Sequence, residues 1–306
     1  MKIYSNLQDF KSSRKTILTL GTFDGVHVGH RKIIEQLTQI AKANALESVV
    51  LTFFPHPRMV LQDADIKLLN TMDEKTALMD ELGVDHFIIH PFDKEFSRLT
   101  AEEFVSEILV EKLQISKIII GYDHRFGRNR NANIDDLIVF GAHYGFDVIQ
   151  ISAQEIEDVS VSSTKIRNAL NEGQIVLANQ YLTQPYVLSG TVESGRRIGK
   201  TIQFPTANLK IDSSFKLIPK KGVYAIQSFF NNQLLKGMMN IGTNPTVDGT
   251  HISIEIHFFD FDLNIYSQSI QIQMLHFIRE EQKFENLEAL QNQLMRDKEF
   301  CLKNIF

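Results

Sequence analysis

Two histidines close a glycine-rich turn in the N-terminal half of the chain. The run Gly21-Thr22-Phe23-Asp24-Gly25-Val26-His27-Val28-Gly29-His30 follows the apolar stretch Ile17 to Leu20 and precedes a helical stripe that begins at Ile33. Glycines at 21, 25 and 29 let a backbone approach a nucleotide closely, and imidazoles separated by two residues can face one phosphate. A helix start adds free N–H groups and a partial positive charge, so the chemistry this spacing allows is phosphate handling. The plainer alternative is a capped helix with two solvated histidines. Further segments shift the balance, because Pro55-His56-Pro57, Gly121-Tyr122-Asp123-His124-Arg125-Phe126-Gly127 and Ser162-Ser163-Thr164-Lys165-Ile166-Arg167 each follow another apolar run. Hydroxyls with Lys165 and Arg167 at a helix start suit a triphosphate, although Ser163 and Thr164 also serve as ordinary N-caps.

A second constellation lies in the C-terminal half, where Gly190 to Gly195 leads into Arg196-Arg197-Ile198-Gly199-Lys200 and then Phe204-Pro205-Thr206-Ala207-Asn208-Leu209. A basic loop bounded by glycines such as Gly195 and Gly199, with Lys200, can close over a polyphosphate. Thr206 and Asn208 project to one side of an extended segment, so a hydroxyl and an amide oxygen can meet one hard cation. Magnesium keeps its waters and takes few protein ligands, which fits so small a set. Taken alone, this segment is better explained as a turn with satisfied polar side chains.

These groups need elements to hold them. From residue 16 to about 182, short β-branched runs alternate with amphipathic stretches, the pattern of parallel strands with crossover helices. Strands are expected at Thr16 to Leu20, Val49 to Phe54, Phe87 to His90, Lys117 to Ile120 and Val148 to Ile151. Ile33, Ile34, Leu37, Ile40 and Ala41 form one helical stripe, and Thr71 with Glu74 and Thr100 with Glu103 have capping-box spacing. A doubly wound α/β sheet is expected, with the polar segments lining its switch-point crevice. Beyond residue 182 the pattern turns to strand alternation: Ile252, Ile254 and Ile256 share one face, Ser253, Glu255 and His257 the other, and Ile270, Ile272 and Met274 repeat the period. This half is expected to be a small antiparallel barrel or sandwich, closed by a helix that Asn286 caps and that carries Leu287, Leu290, Leu294 and Cys301 near one face. The boundary falls near Leu182 to Pro185, giving domains 1–182 and 183–306.

Composition narrows the classes. The chain has 306 residues, with 32 Lys and Arg against 37 Asp and Glu, a net charge of −5 that disfavours an extended nucleic-acid surface. Its single cysteine, Cys301, allows no intrachain disulfide, and no run approaches the roughly 20 apolar residues of a membrane span. The N-terminal residues lack the apolar run of a secretory signal, so the chain is expected to be soluble and cytoplasmic.

His27-Val28-Gly29-His30 with Ser163-Thr164-Lys165-Ile166-Arg167 resembles the HxGH nucleotidyltransferase superfamily. Asp24-Gly25-Val26-His27, Pro55-His56-Pro57 and Gly121 to Gly127 narrow the resemblance to the adenylyltransferase module of bacterial bifunctional riboflavin kinase/FAD synthetases, with His124 where that family more often has an aromatic residue. Pro205-Thr206-Ala207-Asn208, Lys221 to Ala225, Asn240 to Thr246, Ser253 to His257 and Ile278 to Phe284 are similar to its riboflavin kinase module, so the likeness covers nearly the whole chain. The resemblance implies a Rossmann-like HxGH domain and a six-stranded antiparallel barrel with a terminal helix. It implies His27, His30 and Arg167 at the adenylyl transfer, with Gly21, Asp24, Gly29, Ser163 and Thr164 around the ATP phosphates. In the kinase it implies Glu255 as catalytic base, Mg²⁺ with ATP held partly by Thr206 and Asn208, and Gly195, Gly199 and Lys200 at the phosphates. The flavin contacts implied are His56, Asp123 and Arg125 in the first module and Asn208, Arg279 and Phe284 in the second.

The chemistry implied differs between the modules. An FMN phosphate is already an anion and needs no base, so adenylylation reduces to positioning and charge stabilisation. An alcohol is a poor nucleophile until its proton is taken, so the kinase needs one. Riboflavin, FMN, FAD and ATP are the expected partners, with no nucleic acid, no membrane, and a monomer or weak homo-oligomer. Two rival readings are a flavin or nucleotide sensor without turnover, and an RNA-directed enzyme like the class I aminoacyl-tRNA synthetases. The presence of His30, Arg167 and Glu255 disfavours the first, and the lack of a basic surface and an anticodon-binding region disfavours the second.

Overall fold

The computed structural model describes residues 1–121, 124–151, 161–193, 204–246, 249–261 and 263–306. It divides into two compact units, Met1–Ser162 and Ser163–Phe306.

In the first unit six parallel strands form one sheet in the order β1-β4-β3-β2-β5-β6: β1 (Lys2–Tyr4), β2 (Thr16–Leu20), β3 (Glu47–Phe54), β4 (His86–Pro91), β5 (Ile115–Gly121) and β6 (Asp147–Ile151). The five expected strands are all present, and β1 is an addition, a three-residue strand paired in parallel with β4. Alternate residues of the central strands feed two separate cores. Leu18, Leu20, Val49, Leu51, Ile118 and Ile120 pack with the helical segment Phe104–Lys112 and with α5 (Ile134–Tyr144) on one face. Ile17, Val50, Phe87 and Ile119 pack on the other with α1 (Val28–Ala43) and α3 (Met72–Glu81). The stripe Ile33, Ile34, Leu37 and Ala41 is the buried side of α1, as its spacing requires. Thr71 with Glu74, and Thr100 with Glu103 at the start of α4 (Ala101–Glu103), make full capping boxes. A short helix, α2 (Pro57–Leu61), follows β3. The strand order reverses between β2 and β5, so the crevice beyond their carboxyl ends is the switch point.

The second unit is a closed antiparallel barrel in the order β10-β11-β8-β7-β12-β9, built from β7 (Tyr186–Glu193), β8 (Ala207–Lys210), β9 (Gly222–Phe230), β10 (Gln233–Thr246), β11 (Gly249–Phe258) and β12 (Ser269–Arg279). Closure removes the unpaired edges that an open sandwich would leave. Ile254, Ile256, Ile270, Ile272 and Met274 are buried as their alternation requires, whereas Ile252 is exposed. The terminal helix α8 (Leu287–Asn304) is capped by Asn286, which accepts from the Ala289 N–H. Leu290, Leu294 and Cys301 pack with Phe204, Ala225, Met238 and Phe259, while Leu287 stands 54 % exposed at the first turn, off the face it was expected to share. Burial pushes the Cys301 thiol up to about 12, so it is an inert core residue.

Two helices, α6 (Ser163–Asn171) and α7 (Ile175–Leu182), also belong to this unit, which therefore begins twenty residues before the expected division at 182/183. Their buried residues Ile166, Ala169, Leu170, Ile175, Ala178 and Leu182 supply the apolar reason. Asn179 supplies the polar one: its Nδ2 donates to the Met274 carbonyl of β12 at 2.8 Å, and its Oδ1 accepts from the Tyr186 N–H of β7 at 2.7 Å.

Candidate active sites

The turn after β2 carries more constraint than its spacing revealed. Phe23 and Val26 adopt left-handed φ angles of 45° and 41°, conformations that cost a non-glycine residue energy, and Gly25 between them has φ 90°. Anchors hold the turn in this shape. The Thr22 carbonyl accepts from Lys75 Nζ at 2.7 Å and from Thr52 Oγ1 at 3.3 Å, and Asp24 Oδ1 accepts from the Leu69 N–H at 2.8 Å. Gly21 donates its N–H to the Leu51 carbonyl, and an added Cβ there would press on the Phe23 ring at 3.3 Å.

His27 is the N-cap of α1, but its side chain makes no capping hydrogen bond and no acidic residue lies in the first turn. The helix start is therefore not neutralised by its own N-cap or first turn and keeps its partial positive charge, the arrangement that favours an anion. The His27 and His30 rings stack, 3.7 Å between centroids and 17° between planes, with the Phe23 ring edge-on to His30 at 5.2 Å. Neither Nδ1 has a hydrogen-bond partner among the described residues. Burial pulls His27 down to about 4, and burial followed by the charges of His27 and Lys75 holds His30 well below its ordinary value. Two like charges about 4 Å apart repel by roughly 4 kcal/mol at a protein surface, so an unliganded pair stays neutral and offers N–H donors.

The other expected residues of this half are distributed as follows. Gly29 is buried in the first turn of α1. His56 caps α2, its Nδ1 accepting from the Arg58 N–H at 3.1 Å. Arg125 is exposed in the segment after β5, beside His124, whose ring lies nearly parallel to that of Phe126. Asp123 lies outside the described residues. Ser163, Thr164 and Arg167 occupy the first turns of α6 in the second unit, with Ser163 and Arg167 half-buried and Thr164 exposed. Lys75, which the motifs did not single out, is 2 % exposed and reaches the turn from α3. Its signal was its place on one stripe with Leu78 and Met79.

In the barrel, register rather than sequence proximity assembles the polar row. Glu255 on β11 pairs directly with Asn208 on β8 and with Asn240 on β10, and Asn208 pairs in turn with Glu193 on β7. Directly paired residues share a face, so Asn208, Glu255 and Asn240 project together, and none is fully buried. Thr206 stands half-buried just before β8. That segment is pinned by His257, whose Nδ1 donates to the Pro205 carbonyl at 2.8 Å and whose ring packs on Phe204. Burial lowers the His257 pKa, which leaves the ring neutral with this N–H in place. Hydroxyl, amide and carboxylate oxygens along one short stretch suit a small hard cation. Arg279, expected at a flavin, engages Asp297 of α8 with both Nε and Nη2, the shortest contact being 2.8 Å, and lies over the Phe284 ring at 5.8 Å. Gly195, Gly199 and Lys200 lie outside the described residues.

Comparison with known proteins adds names to this geometry. Residues 9–165 match the family described as FAD synthetase, and residues 182–305 the family described as riboflavin kinase. The bifunctional riboflavin kinase/FMN adenylyltransferase of Listeria monocytogenes is 38 % identical over 286 residues, 92 % of this chain and 90 % of that protein. Its counterpart from Buchnera aphidicola is 36 % identical over 309 residues, 99 % of this chain and 98 % of that one. Among solved structures, a macrolide-efflux protein from Streptococcus pneumoniae superposes with a TM-score of 0.90 at 29 % identity, covering 98 % of both chains. What it shares with this chain is the whole two-unit fold. Among the described residues no helix is long and apolar enough to cross a membrane.

Proposed function

The chain belongs to the bifunctional riboflavin kinase/FMN adenylyltransferase family, transferases that phosphorylate riboflavin to FMN and adenylylate FMN to FAD, and from that premise we propose which of its residues run each reaction. Adenylylation belongs to the turn after β2. An oxygen of the FMN phosphate forms a bond to the α-phosphorus of ATP, the bond to the bridging oxygen breaks, and pyrophosphate leaves. His27 and His30 donate N–H groups to the oxygens of the transferring phosphoryl group, and the uncapped start of α1 adds its dipole. Gly21, Asp24, Gly29, Ser163 and Thr164 hold the nucleotide, Arg167 takes the departing pyrophosphate, and His56, Asp123 and Arg125 contact the flavin. The carrying observation is the stacked His27/His30 pair, whose unpartnered Nδ1 atoms sit at the start of a helix that the His27 side chain does not cap.

Phosphorylation belongs to the barrel. Glu255 takes the proton of the riboflavin hydroxyl as its oxygen bonds to the γ-phosphorus and ADP departs. Thr206 and Asn208 hold Mg²⁺, which supplies charge neutralisation on the ATP phosphates when bound. Gly195, Gly199 and Lys200 bind those phosphates. Asn208, Arg279 and Phe284 form the flavin side of this site, with Arg279 held by Asp297. We place the functional division of the chain at 182/183, a reading supported by the start of the riboflavin kinase match at residue 182, and take the protein to be a cytoplasmic monomer or weak homo-oligomer. Incubation with riboflavin, ATP and Mg²⁺, with flavins separated over time, should show FMN rising before FAD. Absence of either product would overturn the corresponding half of this reading.

A further inference from the structure

A buried ammonium stands behind the histidine pair, and nothing in the reaction as described so far uses it. Lys75 is 2 % exposed, although lysine is among the residue types least often buried. Its Nζ donates to the Thr22 carbonyl at 2.7 Å, the same oxygen that receives Thr52 Oγ1. That carbonyl opens the stretch in which Phe23 and Val26 hold left-handed φ angles. We propose that Lys75 is a positioning residue for adenylyl transfer, locking the strained turn that carries His27 and His30 and setting a fixed positive charge behind them for the incoming phosphates.

Three observations support this. A methionine at the same place would fill the space without the desolvation that a charge incurs, so burial alone gives no reason for an amine. The strained φ angles persist only where surrounding contacts over-determine them, and the Lys75 bond is one of those contacts. The charged groups around Lys75 are also arranged for the task. Asp24 of the turn supports the ammonium through space, and His30 and His27 of α1 feel its field. Glu74, its neighbour on α3, is tied into the Thr71 capping box, and Arg31 of α1 reaches Glu81 of α3 at 3.8 Å. Burial brings Lys75 itself down to about 8, so it is charged at neutral pH and loses that charge within a few units.

The inference rests on the assignment of His27 and His30 to the transferred phosphate, and the test separates the two. Lys75→Met, Lys75→Arg and His30→Ala are assayed for FMN adenylylation across pH 5.5 to 9.5, with riboflavin phosphorylation by the same protein as the internal control and melting followed alongside. Lys75→Met should slow adenylylation by about 10- to 100-fold in kcat, raise the acid limb of its pH profile toward the ordinary histidine range, and leave melting and phosphorylation unchanged or improved. Wild-type adenylylation should fall off above about pH 8, and Lys75→Arg, which keeps its charge, should not show that limb. A wild-type profile with no alkaline limb, or Lys75→Met with full adenylylation and an unshifted acid limb, overturns the proposal. A melting loss matching the activity loss in Lys75→Met, with an alkaline limb that Lys75→Arg leaves unmoved, assigns Lys75 to the scaffold instead and equally overturns it. If His30→Ala keeps full adenylylation, the underlying site assignment fails first.

Discussion

Glu255 on β11 stands directly opposite Asn208 on β8, so the carboxylate assigned to proton removal and the amide assigned to cation holding share one face of the barrel. A cation held by Asn208 would therefore lie one strand from the base proposed on Glu255. Asn208→Leu keeps the branched shape and removes the oxygen, and it should slow riboflavin phosphorylation by about 10²-fold or more, the scale of lost metal stabilisation. Adenylylation of supplied FMN by the same protein should stay within about twofold, as expected if each reaction has its own residues. Steady-state rates of both reactions check this, and equal loss of both would assign Asn208 to structure.

The helices α6 and α7 carry six buried apolar side chains, and Asn179 of α7 bonds β7 and β12 of the barrel. A fragment of residues 163–306 should fold and make FMN without FAD. A fragment of 183–306 should be less stable by at least about 3 kcal/mol, from the exposed apolar surface and the orphaned Tyr186 and Met274 backbone groups. Denaturant midpoints of the two fragments give the comparison, and equal midpoints would mean that these helices add nothing.

Asp297 is 2 % exposed and accepts from Arg279 through two nitrogens and from Gln293 Nε2 at 2.9 Å. Breaking one side of such a pair leaves a partly buried charge without its partner. Asp297→Ala should therefore cost about 3 kcal/mol, measured by denaturation of the 163–306 unit, and a loss under about 1 kcal/mol would place the pair among weak surface contacts.

The sign of the pH dependence follows from the buried histidines. His27 is lowered by burial to about 4, so between its ordinary 6.5 and that value the unfolded chain binds a proton that the folded one refuses. Stability is thus complete above about pH 6.5 and declines as pH falls toward 4, by up to roughly 3 kcal/mol for a shift of this size. The carboxylates lowered in the first unit, Glu47 and Glu103, act in the same direction but below their ordinary 4.5, so the window from 6.5 to 4.5 reports on histidine. Melting temperature against pH should slope upward through that window, and His27→Gln should reduce the slope, the remainder belonging to His30, His86 and His90, whose values burial also lowers. An unchanged slope would show that the ring is not buried neutral.

Local patterns were legible in the sequence where local physics decides. The period-2 and period-3.6 runs marked five strands and the buried face of α1, and the two Thr/Glu capping boxes stood at their expected positions. The strand Lys2–Tyr4 left no such mark, because two of its three side chains are exposed and its partner, β4, is some eighty residues away. The helices at 163–182 read as a continuation of α/β alternation, yet they group with the barrel, to which Asn179 binds through β7 and β12. The histidine turn was visible as a motif, but its strained φ angles and its Lys75 anchor are not written locally. Likewise, the row Asn208, Glu255 and Asn240 exists only once strand register is known.

The assignment of one reaction to each unit is tested most directly by measuring both rates in two variants. Glu255→Gln keeps size and hydrogen bonding but removes basicity, and a general base contributes about 10²- to 10⁴-fold, so phosphorylation of riboflavin should fall by that factor. FAD formation from supplied FMN, whose nucleophile is already an anion, should be nearly unchanged. His30→Ala should do the reverse, slowing adenylylation while FMN still accumulates from riboflavin. A crossed result is what two separate sites require. Full kinase activity in Glu255→Gln, full adenylyl transfer in His30→Ala, or both reactions lost together in either variant would contradict it.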